Sequence, residues 1–155
     1  MGRATIPPRL LLPAALAASV ATAAPVAWAA TPRLRALSAS GELKRTAKPA
    51  ALSTVQEGTV RGRPFGTGRM VLRSTLKQAR VISTFTLETK AGMVRGRATA
   101  RLTLDGDTAT YKGTATITSG TRRYRGVAGS KIRFTGVGPV SAKSTKITLS
   151  GSVRY

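Results

Sequence analysis

Arg95, Arg97 and Arg101 stand at alternating positions of one stretch, and Arg122, Arg123 and Arg125 crowd a second. Guanidinium groups present planar forks of N–H donors that match phosphate and carboxylate oxygens, so the chemistry on offer is anion binding. Lys112 falls close by in the sequence, and Val60-Arg61-Gly62-Arg63 repeats the pattern of Val94-Arg95-Gly96-Arg97. The chain carries 26 Lys and Arg against 5 Asp and Glu, a formal net charge of +21. A charge of that size favours solubility and attracts polyanions, such as acidic cell-wall polymers or nucleic acid, without dictating a fold. Base reading is not expected. Phe85, Tyr111, Phe134 and Tyr155 fall on the apolar parity of their segments, which leaves Tyr124 as the aromatic free to stack on a base.

Other chemistry is bounded by inventory. The chain has no His and no Cys, which excludes imidazole- and thiolate-based metal sites, Ser-His and Cys-His nucleophile pairs, and disulfides. Neither metal nor cofactor is expected. Asp105 and Asp107 flank Gly106 and read as turn residues. Glu88 lies on a wet parity. Glu57 shares the parity of Arg61, which points it outward unless a bulge at Gly58 turns it in. One carboxylate without a nearby base is thin material for acid–base catalysis. Tyr111 and Tyr155 sit on dry parities, where a phenol can donate to a ligand or to a backbone carbonyl.

These side chains need elements to position them, and the clearest is a hairpin. Val94, Gly96, Ala98, Ala100, Leu102 and Leu104 alternate with Arg95, Arg97, Thr99, Arg101 and Thr103; after Asp105-Gly106-Asp107 the alternation resumes through Ala109, Tyr111, Gly113, Ala115 and Ile117. Period-two patterning gives each strand a dry and a wet face, and an Asp-Gly step between two such runs is a strong hairpin signal. Further strands are expected over 54–63, 68–76, 80–89, 131–136 and 146–155, with a long basic loop over 119–129 and a break at Gly138-Pro139. Seven or eight short-spaced antiparallel strands make a barrel or a sandwich; the barrel is favoured because closure removes exposed edges.

The domain plan is a signal peptide over 1–29, a basic flexible arm over 30–52 and an all-β barrel over 53–155. Arg3 and Arg9 precede an apolar stretch ending in Ala27-Trp28-Ala29, a small-x-small motif that places cleavage before Ala30 and export by the general secretion route. Pro13 and Pro25 interrupt the stretch, so no membrane span is expected after processing. The arm is rich in Ala and Ser with little periodicity, apart from a short helix allowed around Arg35 to Lys44.

The run Ile117-Thr118-Ser119-Gly120-Thr121-Arg122-Arg123-Tyr124-Arg125-Gly126-Val127-Ala128-Gly129 resembles a Gly-rich segment of the allene oxide cyclase and dirigent-like barrels, particularly their small secreted bacterial relatives. Pro64-Phe65-Gly66-Thr67-Gly68 and Leu149-Ser150-Gly151-Ser152-Val153-Arg154-Tyr155 are similar to the frame around it. The resemblance implies an eight-stranded antiparallel barrel with a cavity open at one end for a small apolar ligand. Ser119 and Arg122 replace glycines of that motif, and the Asn and Cys that plant cyclases place in the barrel have no counterpart, so no catalytic residue carries over.

The expected function is therefore a secreted cationic barrel that binds without catalysing. Alternatives are a cyclase- or isomerase-like enzyme that folds an apolar substrate by shape, and an adhesion module working through its outer arginines. An eight-stranded barrel is just wide enough to be filled or to hold one small ligand. Small inward residues such as Ala100, Ala109 and Gly113 point to a pocket at one end, lined by Phe85, Leu102, Tyr111 and Phe134. Cleavage before Ala30 removes Arg3 and Arg9 and leaves a net charge of +19. It also removes Trp28, the single Trp. The exported protein should accordingly have the mass of residues 30–155 and no tryptophan fluorescence; a mass that retains Trp28 refutes the cleavage site.

Overall fold

A computed structural model describes residues 31–46, 52–141 and 143–155. The expected signal peptide and cleavage site lie outside them, as does the 47–51 part of the expected arm. Eight strands follow in chain order: β1 (Leu34–Arg45), β2 (Ser53–Arg63), β3 (Gly66–Lys77), β4 (Arg80–Thr89), β5 (Gly92–Asp105), β6 (Thr108–Gly120), β7 (Gly129–Pro139) and β8 (Ser144–Arg154). Each pairs antiparallel with its chain neighbours, and β1 pairs with β8 to close the barrel. This is the expected closed, all-β, eight-stranded architecture.

The closing strand is where the sequence reading needs correction. Among the described residues the expected arm is a strand, and 35–44 is not helical: β1 occupies Leu34–Arg45 and is laddered on both sides. Leu37, Ala39 and Leu43 face the core, the last fully buried, while Ser38, Ser40 and Glu42 face out. The compact unit accordingly runs from Thr31 to Tyr155 and not from 53. Two smaller corrections concern β7, which runs through Gly138 to Pro139 where a break was expected, and the 119–129 loop, much of which is folded.

The central hairpin forms as the alternation dictates. Asp105 pairs with Thr108, and Gly106 takes φ +52°, a left-handed conformation that a glycine adopts without steric cost. One glycine deeper in the barrel has a packing reason. A Cβ on Gly96 would overlap the Phe85 ring and the Thr116 carbonyl, so the ring lies directly over the glycine.

The two ends of the barrel differ. At one end the segment after β6 folds inward as a plug. Its short 3-10 turn, Arg122–Tyr124, buries Tyr124 and is followed by buried Val127. The Tyr124 hydroxyl donates to the Phe65 carbonyl at 3.2 Å and accepts from Thr89 Oγ1 at 3.3 Å. Phe65 and Tyr155 complete an aromatic cluster, with Tyr124 edge-on to both at 5.2 and 5.9 Å between centroids. The Arg35 guanidinium lies 5.4 Å from the Tyr155 ring centre. Tyr124 is therefore a buried keystone, not an aromatic free to stack a base, and Tyr155 belongs to the plug. Beside it the strand ends are tied by Arg33 N donating to Tyr155 O at 3.3 Å and Tyr155 N donating to Arg33 O at 3.4 Å.

Removing β1 tests the corrected architecture. Burial of Leu37 and Leu43 alone contributes about 3–6 kcal/mol, against a whole-domain stability on the order of 5–15 kcal/mol. A chain starting at residue 47 should lose cooperative unfolding and aggregate through β2 and β8, whereas a dispensable arm would leave the melting transition in place.

Candidate functional site

The plugged half of the barrel is packed. Leu37, Met70, Phe85, Leu87, Val94, Ala115, Ile117, Ile132 and Leu149 interlock there around a residual space of only about 10 Å³. The other half is not filled. A cavity of about 310 Å³ occupies it and reaches the barrel end marked by Arg45, Leu52, Leu76, Leu104 and Val140. That volume sits at the small end of the range for small-molecule pockets, roughly 300–1,000 Å³.

Its walls follow from what each strand places inward near that end. Leu72, Leu76, Val81, Leu102, Phe134 and Ile147 supply apolar surface, and Tyr111 brings a half-buried ring. Between them stand small or hydroxylic residues: Thr54, Ser74, Ser83, Ala109, Gly138 and Thr145. Most of the polar groups are already partnered. Gln56 Nε2 donates to Thr145 Oγ1 at 2.9 Å, and the Ser74 and Ser83 hydroxyls bond each other at 2.8 Å. Arg45, the last residue of β1, continues the inward parity of Leu43 and reaches the mouth. Leu52, Leu104 and Val140 form an exposed apolar lip, at 59%, 60% and 51% of full exposure.

Three of the four residues expected to line a cavity do so: Leu102, Tyr111 and Phe134. Phe85 does not. It shares their inward parity but lies in the plugged half, where its ring fills the space above Gly96. Nor do the small residues as a group make the pocket. Ala98 and Ala115 are buried core, and only Ala109 of the alanines expected to open space is in the wall. The pocket exists because paired hydroxyls, Ser74 with Ser83, stand where large side chains would fill the end. Parity could not reveal this, because it reports the face of a residue and not its height along the barrel.

The six arginines expected to bind anions are all exposed, but they form no single site. Arg122, Arg123 and Arg125 sit on the outside of the plug. Arg95, opposite Ser119, is near that end, whereas Arg101 lies six residues along β5 towards the open mouth, opposite Lys112. At about 3.3 Å per residue this separates Arg95 from Arg101 by roughly 20 Å. Glu57 points outward, as parity requires, and pairs with Arg69, which also approaches Glu88 at 3.9 Å. The hydrogen bond and charge of Glu57 raise the Arg69 pKa further. Among the described residues no cluster of acids is placed to hold a metal. The chain matches no family model, no curated protein and no solved structure.

The division between packed and open halves has a mutational signature. Gly96→Ala forces the Phe85 ring to move in the packed half and should cost about 1–3 kcal/mol, typical of overpacking. Ser83→Ala, beside the open space, leaves the Ser74 hydroxyl able to reach solvent and should cost less than 1 kcal/mol. Denaturant titration of the two variants checks the order; the reverse order would mean that the packed half lies elsewhere.

Proposed function

We propose that the protein is a secreted, non-catalytic binding module that takes one small, mainly apolar molecule through the open end of the barrel. The observation that carries this reading is the half-filled interior with an exposed apolar lip at its mouth. A sealed void of 310 Å³ would cost about 7 kcal/mol at 24 cal/mol per Å³, a sum comparable with the stability of a whole domain. An opening at one end avoids that penalty and gives a ligand a route in. Leu52, Leu104 and Val140 would then be covered as the ligand seats.

The wall chemistry supports binding more than turnover. Gln56, Thr145, Ser74 and Ser83 are engaged with one another, and the described residues place no carboxylate in the wall. Arg45 at the mouth disfavours a cationic ligand. The similarity to allene oxide cyclase and dirigent-like barrels agrees with a ligand held by shape. Shape-guided cyclisation in the same pocket is the second reading, favoured by the Tyr111 phenol in the wall.

An uncharged solvatochromic dye avoids simple attraction to the cationic surface and should bind with one-to-one stoichiometry and a blue-shifted emission. Ala109→Phe, which fills the wall, should weaken binding at least tenfold. Replacing Arg122, Arg123 and Arg125 with Gln should leave it unchanged, since they lie on the opposite end. Equal dye binding by a cooperatively folding Ala109→Phe variant would end the proposal.

A further inference from the structure

Barrel closure produces a surface feature away from the pocket. Lys77 is in register with Arg80, Arg80 with Arg101, and Arg101 with Lys112. All four are exposed on the outer face, so four adjacent strands present four cations in one cross-strand row. Neighbouring strands are about 4.8 Å apart, which makes the row roughly 14 Å long. The β3–β4 turn folds towards β5, with Leu102 N donating to Ala79 O at 2.9 Å. It bounds a depression of about 380 Å³ between Lys77, Arg80 and Arg101, with Thr99 alongside.

Like charges directly opposite one another on a sheet repel. Elsewhere on β3 a cation has partners: towards the plug, Arg69 is flanked by Glu57 of β2 and Glu88 of β4. Among the described residues no carboxylate pairs with any member of the row. Asp105 and Asp107 lie at the β5–β6 turn and form no ion pair with Arg101 or Lys112.

We propose that the Lys77–Arg80–Arg101–Lys112 row is a binding site for a flexible phosphodiester strand, recognised by its backbone charge alone. Two Arg forks and two Lys ammonium groups suit successive phosphate oxygens. The outside of a closed barrel is convex, so a flexible strand can follow the row where a rigid duplex would touch it only locally. Among the described residues base reading has no platform there: Phe65, Phe85, Tyr124 and Phe134 are buried, while Tyr111 and Tyr155 are engaged inside the pocket and the plug. A polyol phosphate and single-stranded nucleic acid share this backbone chemistry.

The test measures binding of a ten-unit glycerol phosphate oligomer and of (dT)10 against salt, using the folded protein and two fourfold Gln variants of equal charge change. One variant replaces Lys77, Arg80, Arg101 and Lys112; the other replaces the scattered Arg61, Arg63, Lys131 and Arg133. Each phosphate contact to a single strand contributes about 0.7 to the slope of log K against log salt, so the row variant should lose about 3 units. The scattered variant should lose less than one. Equal losses would mean that whole-molecule charge, and not the row, binds the strand. Arg101→Glu is the second variant. It offers a carboxylate to both Arg80 and Lys112, which favours folding, and should weaken binding at least tenfold at low salt; unchanged affinity overturns the proposal. The two oligomers should bind within about threefold of each other, and a large preference for (dT)10 would overturn backbone-only recognition.

Discussion

The ladder between β1 and β8 is the constraint on which the rest depends. It joins the first strand of the barrel to the last, from Leu34 opposite Arg154 to Lys44 opposite Ser144. Without it the meander is an open sheet with two long unpaired edges, the condition that favours aggregation. With it, one face of every strand is turned inward, and alternation becomes a division between interior and exterior. Both proposed sites follow. The pocket needs a closed wall, and the cation row needs β3 to β6 held side by side in register.

The interior is divided by height. Towards the plug, large side chains interlock and glycine makes room for an aromatic ring, as Phe85 does over Gly96. Towards the mouth, the Ser74–Ser83 hydroxyl pair stands in place of large apolar groups, leaving apolar wall without filling. A stable packed half can support an incompletely packed one because burial in the first offsets what the second forgoes. The plug adds to this by holding Tyr124 between Phe65 and Tyr155 and satisfying its hydroxyl, since a buried phenol without a partner would be costly.

Much of this architecture was legible in the sequence wherever alternation carried a contrast in size or polarity. Val81, Phe85 and Leu87 against Thr84, Thr86 and Glu88 leave little doubt about β4, whose bounds Arg80–Thr89 match the expected ones. β1 was hidden because, apart from Leu37, the residues of Ala36-Leu37-Ser38-Ala39-Ser40 are too small to show a face. Three of the four expected cavity residues were found by parity; Phe85 was missed because parity is blind to position along the axis. The cation row was partly visible, since Lys77 and Arg80 flank a two-residue turn and must face each other. Arg101 and Lys112 likewise face each other across the Asp105–Thr108 hairpin, and joining the two pairs required the β4–β5 register that sets Arg80 opposite Arg101.

The mutual hydrogen bonds of Arg33 and Tyr155 give the barrel a further property. The two extremities of the folded unit lie side by side, so a few residues could join them covalently without disturbing either strand. In a ring of eight antiparallel strands the seam is then a matter of connectivity. A circular permutant opened at the exposed Gly106-Asp107 turn would make β5 and β6 its terminal strands, while β1 and β8 became an ordinary hairpin. The eight ladders would survive, and only the order in which the polymer visits them would change.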